Sequence, residues 1–249
     1  MNPFDVYKKL PRKNCGKCSA GTCMAFAVQL LRRSARIQEC TELDEKAQQE
    51  IESMISGPGD WKERRVLELF QELSERNFAD IAKGIGALAE NDGLRIHYLG
   101  RDILLTHTDF VEPLDIFDKL LILMYVKIAG NKSLTGKWAP FRDLKDGLIR
   151  SESFHEACEM SLAKMFGENS EALLQKMSAL GAQAVSGFSA AHSLVAYPLP
   201  KIPFLVLLWQ GDDEFEPDCK ILFDSTVTDY IDVEALLYLG IALVRAVGS

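Results

Sequence analysis

Four cysteines, Cys15, Cys18, Cys23 and Cys40, stand in the first forty residues with the spacing C-x2-C-x4-C-x16-C. Each corner of a [4Fe–4S] cube takes one thiolate. Cys15 and Cys18, three apart, reach two corners from one tight loop. Gly16 and Gly21 let the backbone approach the sulfurs, so that amide N–H groups can hydrogen-bond to them. Cys23 opens a helical stretch, where the positive dipole end favours a thiolate. Cys40 returns after that helix and closes the cage. A four-cysteine zinc site is the competing chemistry. Zinc favours paired C-x2-C knuckles, and here sixteen residues split the second half around an apolar helix. The spacing favours iron–sulfur over zinc and admits both.

The elements that must position these thiols are readable around them. Residues 1–13 form a short helix or turn ending at Pro11, and 14–21 form a loop of small residues. Thr22 is a good N-cap for a helix over 23–33 with Phe26 and Leu30 on its apolar face. A polar helix follows over 44–54, and Ser56-Gly57-Pro58-Gly59-Asp60 breaks the chain. The predicted organisation is therefore a cluster-binding domain over 1–55 and a second domain over 61–249.

In the second domain the pattern predicts helix from Trp61 to Glu90, with Ile85 and Leu88 continuing its apolar spacing, ended by Asn91-Asp92-Gly93. A hairpin follows over 94–106, turning at Gly100-Arg101. Helices are expected over 115–129, 151–166, 170–180 and 232–247, the last with Leu236, Leu237, Ile241 and Val244 inward. Strands are expected at 183–188, 193–197, 204–209 and 221–223, with a short one in 138–144. Helices come in runs and strands in runs, so the predicted fold class is α+β: a small helical module, then a mixed helix and antiparallel-sheet domain.

Length and charge narrow the function classes. A chain of 249 residues can bury a large core. No apolar run approaches the ~20 residues of a membrane span, and no signal core opens the chain, which predicts a cytoplasmic protein. In a reducing compartment clustered cysteines mean metal or redox chemistry rather than disulfides. Cys158 and Cys219 stand apart and read as buried or idle thiols. The net charge is −8, yet residues 1–40 hold eight basic groups against two acidic ones. With no interleaved aromatics and no nucleic-acid motif, this segment predicts no nucleic-acid partner. Its cations suit an anionic cluster, or docking to an acidic surface.

Leu10-Pro11-Arg12-Lys13-Asn14-Cys15-Gly16-Lys17-Cys18 through Thr22-Cys23-Met24-Ala25-Phe26-Ala27 resembles the four-cysteine [4Fe–4S] domain of the corrinoid iron–sulfur protein large subunit and of the Rnf complex B subunit. The resemblance covers about forty residues. It implies that Cys15, Cys18, Cys23 and Cys40 are the cluster ligands. It also implies a neighbourhood of corrinoid-dependent methyl transfer, with a corrinoid protein or methyltransferase as redox partner. The C-terminal part resembles the DUF3786 family. Pro200-Lys201-Ile202-Pro203, Trp209-Gln210-Gly211-Asp212-Asp213-Glu214-Phe215, Leu222-Phe223-Asp224 and Leu134-Thr135-Gly136-Lys137-Trp138 carry that likeness, which implies no activity.

Other motifs are weaker. Gly84-Ile85-Gly86-Ala87-Leu88-Ala89 fits a loose dinucleotide pattern without a preceding strand. No histidine among His97, His107, His155 and His192 sits in an Asp-x-His-x-x-Gly corrinoid motif. The acidic run Gly211 to Asp218 reads as a solvated turn or a recognition surface. No residue set is assigned a catalytic role. The expected function is an electron-transfer or redox-accessory [4Fe–4S] protein of anaerobic metabolism. The alternatives are an oxygen- or redox-sensitive binding protein without turnover, and an enzyme with its substrate in the C-terminal domain.

Overall fold

The computed structural model describes residues 3–31, 35–55, 61–90 and 93–248. The chain divides into two compact units, Met1–Arg64 and Arg65–Ser249. The class is α+β, a small helical unit followed by helices and antiparallel sheets. The expected breaker at 56–60 and the pair Asn91-Asp92 lie outside the described residues.

In the small unit, α1 (Pro3–Lys9) packs against α2 (Cys23–Leu31) and α3 (Glu45–Ile55), with a 3-10 turn at Ile37–Glu39 between the last two. Its core is short: Val6, Leu10, Ala20, Phe26, Ala27, Leu30, Ile37 and Ile51, joined by Cys23 and Cys40. Thr22 caps α2 as the sequence predicts, its Oγ1 accepting from Ala25 N at 3.1 Å. Asp44 does the same for α3, accepting from Ala47 N at 2.7 Å.

The large unit holds a core of far greater extent. Helix α4 (Trp61–Leu73) reaches into it through Val66, Leu69, Phe70 and Leu73. The predicted continuous helix to Glu90 is corrected at two points. Residues 74–77 interrupt it, Asn77 starting α5 (Phe78–Ile85) by accepting from Ala79 N at 2.9 Å. Gly86 then ends α5 with φ +71°, a left-handed cap that suits glycine, and Leu88–Glu90 becomes strand β1. Leu88 is 68% exposed, so its match to the helical spacing was coincidental.

Strand β1 pairs with β2 (Gly93–Tyr98), which pairs with β3 (Arg101–Thr106). The hairpin turns at Leu99-Gly100, one residue earlier than predicted, because Tyr98 pairs with Arg101 and both turn residues have positive φ. Helix α6 (Ile116–Ile128) starts on Asp115, whose Oδ1 accepts from the amides of Phe117 and Asp118. Strand β4 (Trp138–Pro140) is shorter than predicted. It is followed by α7 (Ser151–Phe154), a π-helical stretch (His155–Met160), α8 (Ser161–Glu168) and α9 (Ser170–Ala179).

The larger sheet runs β4-β8-β7-β6-β5 and is antiparallel throughout, with β5 (Gln183–Ala184), β6 (His192–Leu199), β7 (Ile202–Trp209) and β8 (Asp218–Asp224). Every residue of β7 from Ile202 to Leu208 is buried. Phe204, Val206 and Leu208 face the main core, and Leu205 and Leu207 belong to a second cluster with Trp138 and Trp209. Helix α10 (Val233–Gly248) buries Leu236, Leu237, Leu239 and Leu243. Ile241, predicted inward, is 37% exposed. Among the described residues no helix is long and apolar enough to cross a membrane.

Candidate metal centre

All four N-terminal cysteines line one small pocket that is partly open to solvent. Cys23 and Cys40 are buried, Cys18 is half-buried and Cys15 is exposed, and none is in a disulfide. Leu10, Pro11, Ala20 and Phe26 supply the apolar wall. Cys23 is the first residue of α2. Cys40 follows the 3-10 turn, its amide bonded to Ile37 O at 3.0 Å.

The loop between α1 and α2 is held by side chains close to the cysteines. Asn14 adopts a left-handed φ of +47°, and its Oδ1 accepts from Cys23 N at 2.8 Å. This brings the first cysteine's neighbour onto the third cysteine's amide. Gly16 follows with φ +68°, a conformation that a side chain would strain. Gly21 has no such φ, and a Cβ there would meet nothing within 4 Å, so only Gly16 has a backbone reason to be glycine. The Cys18 thiol donates to Ala20 O at 3.5 Å.

Glu42 was not anticipated from the sequence. Its two carboxylate oxygens accept from Lys13 Nζ at 2.6 Å and Lys17 Nζ at 2.7 Å. The lysines flank Cys15 and the glutamate stands two residues after Cys40, so the clasp closes the loop onto the return segment. The two ammonium groups pull the Glu42 carboxyl down to about 2, and Glu42 raises both lysines in turn. Burial pushes the Cys40 thiol up, and the three neighbouring cysteines push the same way, against a hydrogen bond from the Glu42 amide. No local signal could have revealed the clasp, because it joins exposed charges 25 and 29 positions apart.

The clasp and the Lys9 to Glu50 pair at 2.5 Å also spend much of the predicted basic surplus. Residues 41–64 add seven acidic and three basic side chains, so Met1–Arg64 as a whole carries only +2. Arg32 and Arg33 lie outside the described residues.

The donor set fits an iron–sulfur cluster. Four thiols surround a pocket with apolar walls, and the one carboxylate on its lining is already paired to two lysines. Cys158 and Cys219 are both fully buried in the large core, where burial pushes Cys158 up to about 12 and Cys219 well above its usual value.

Residues 10–42 match the family described as "Putative Fe-S cluster". Among curated proteins, the acetyl-CoA decarbonylase/synthase complex subunit gamma of Methanopyrus kandleri is 36% identical over 58 residues, 23% of this chain and 13% of that protein. The subunit of the same name from Archaeoglobus fulgidus is 32% identical over 117 residues, 47% of this chain and 22% of that protein. The corrinoid/iron-sulfur protein large subunit of Moorella thermoacetica is 35% identical over 58 residues, 23% of this chain and 13% of that protein. This chain thus spans less than a quarter of the length of each of these three relatives. No solved structure matches it. The small unit carries an iron–sulfur segment, and residues 77–246, more than half of the chain, match the domain of unknown function DUF3786, so the chain belongs to the DUF3786 family.

Proposed function

We propose that Cys15, Cys18, Cys23 and Cys40 hold a [4Fe–4S] cluster, and that the chain is an electron-transfer or redox-accessory protein of anaerobic, corrinoid-related metabolism. In this reading residues 1–55 are the cluster-binding domain and 61–249 the DUF3786-like domain. The observation that carries it is the convergence of all four cysteines on one pocket, although Cys40 lies far along the chain from Cys15. A cluster of this kind supplies one-electron transfer when bound.

The chain's own residues do the rest. Phe26, Ala20 and Leu10 keep water from the inner thiols Cys23 and Cys40. Asn14 and Thr22 fix the start of α2, and so the direction in which Cys23 points. Exposed Cys15 marks the edge at which a redox partner approaches. By its likeness to the corrinoid/iron-sulfur large subunit, that partner is a corrinoid protein or its methyltransferase, acting in trans because this chain has no corrinoid motif.

Anaerobic reconstitution of the full chain, followed by iron and sulfide assay and EPR of the dithionite-reduced protein, tests the reading. About four irons per chain with a reduced-cluster signal is expected. One zinc per chain and no cluster signal would overturn it. Cys40→Ala should lose the signal while the large unit stays folded.

A further inference from the structure

The run Ser151–Glu168 in the large unit is not a uniform helix. Helix α7 passes into π-helical turns at His155–Met160 before α8 resumes. Such turns are rare and are found frequently at functional sites. Glu159, on this stretch, is only 6% exposed. Its Oε1 accepts from Ile221 N at 3.0 Å, and its Oε2 accepts from His155 Nδ1 at 2.7 Å and Lys220 Nζ at 3.0 Å. The carboxylate is fully used in holding β8 and in orienting these two side chains. An ionised carboxylate only accepts, so Nδ1 carries the imidazole proton and Nε2 is the ring's open position.

His155 and Lys220 remain half-exposed, and with Arg142 and Ser151 they line a pocket of about 380 Å³ that opens to solvent. Phe141 and Phe154, stacked at 4.4 Å and buried, lie beneath. Arg142 has one ion pair among the described residues, to exposed Asp143 at 3.6 Å, which is too long for a hydrogen bond. Its planar fork therefore keeps its donors, and the Lys220 ammonium has donors beyond the one spent on Glu159.

We infer that this pocket is a binding site for a small ligand carrying an oxyanion, a carboxylate or a phosphate. Arg142 and Lys220 hold the oxyanion, His155 Nε2 accepts from a donor group of the ligand beside it, and Glu159 is the positioning residue behind both. Arg142 suits either anion because its fork matches two oxygens at once. Glu152, also on the lining, limits the charge accepted to a single oxyanion group rather than a polyphosphate. The inference does not depend on what the cysteines hold.

Calorimetric titration of the full-length protein with inorganic phosphate, and separately with succinate, at constant ionic strength tests it. Saturable binding of at least one probe with Kd in the millimolar range or tighter is expected. Arg142→Gln should weaken that binding at least about tenfold, the loss of a charge-assisted fork, with an unchanged unfolding midpoint since Arg142 is exposed. The His155 Nε2 resonance should shift with the same titration curve. Phosphate alone binding identifies a phosphoryl ligand, succinate alone a carboxylate ligand, and both a less selective oxyanion site. No saturable binding by either probe, binding equal in Arg142→Gln, or a His155 resonance that does not respond overturns the inference.

Discussion

Each unit contains a loop that ties distant parts of the chain together, and the two are anchored by opposite means. In Met1–Arg64, the cysteine loop is held by Asn14 on Cys23 N and by the exposed clasp of Lys13 and Lys17 on Glu42. In Arg65–Ser249, the loop Leu134–Lys137 is held by one buried carboxylate. Asp224, 1% exposed, accepts from the amides of Thr135, Gly136 and Thr226 and from the hydroxyls of Thr135 and Thr226. Exposed ion pairs contribute little because water screens them, whereas a buried and fully bonded carboxylate is costly to remove. The small unit also has a short core, and a core in a chain below about 70–80 residues rarely supplies more than ~3–5 kcal/mol, so a bound metal group would add to it. On the proposed reading the cysteine loop is ordered by what its thiols hold, whereas the Asp224 loop is ordered by the fold itself.

The strongest way to break that comparison is to strip the cluster proposed for the cysteines. Structural metal sites contribute on the order of 10 kcal/mol to the folding of the segments that bind them. Anaerobic chelation should raise amide exchange across residues 11–22 and 35–43 by orders of magnitude and leave β6, β7 and β8 protected. Unchanged exchange in the cysteine loop would show that its own side chains suffice. Loss of protection in the sheet would show that the large unit does not stand alone.

Asp224→Ala is the matching perturbation in the large unit. It leaves three loop amides without their acceptor and should cost about 3 kcal/mol in urea unfolding, without affecting iron content. The pH dependence has a definite sign. Burial alone would raise the Asp224 carboxyl, but the bonds from Thr226, Gly136 and Thr135 outweigh it and lower the group below its usual value. Its contribution is therefore complete above the unfolded value, about 3.9, and is lost as the pH falls through the depressed folded value. Wild type should lose stability over that acid range more steeply than the alanine variant.

A glycine exchange gives a smaller effect on the same contrast. A Cβ at Gly240 on α10 would come within 2.7 Å of Cys158 Sγ and 2.9 Å of the Phe154 ring, so Gly240→Ala should cost about 1–3 kcal/mol by overpacking. Gly21→Ala, in the open cysteine loop, should leave the fold unchanged within error. Equal midpoint shifts in thermal unfolding would mean that the two regions are packed alike.

What could be read in the sequence follows the range of the forces involved. The cysteine spacing, the Thr22 cap and the order of helices and strands are local, and they were legible. The end of α5 was not, because the spacing of Ile85 and Leu88 continued past the left-handed cap at Gly86. The π-helical turns at His155–Met160 leave no periodic trace, since they form in contact with β8 and α10. The DUF3786 segments gain a physical reason only in three dimensions. Asp224 closes the Thr135-Gly136 loop from 89 positions away. The Pro200-Lys201 turn lies on Gly86 and on the Tyr125 hydroxyl, which accepts from Lys201 N at 3.1 Å.

The clasp should yield the smallest effect, and its size sharpens the comparison most. Lys13→Met with Lys17→Met removes both partners of Glu42 while keeping the aliphatic stems. If the cluster orders the loop and the lysines only trim it, the rate of iron release to a chelator should rise by no more than about threefold at low salt, the scale of exposed ion pairs. Because screening near 1 M salt shortens the electrostatic range to about 3 Å, the difference should vanish there. A rise of tenfold or more that survives high salt would reverse the assignment, since Lys13, Lys17 and Glu42 would then be part of what keeps Cys15 and Cys40 on the same pocket. The test separates a loop that its ligand folds from a loop already folded for its ligand, which the large unit's Asp224 loop exemplifies.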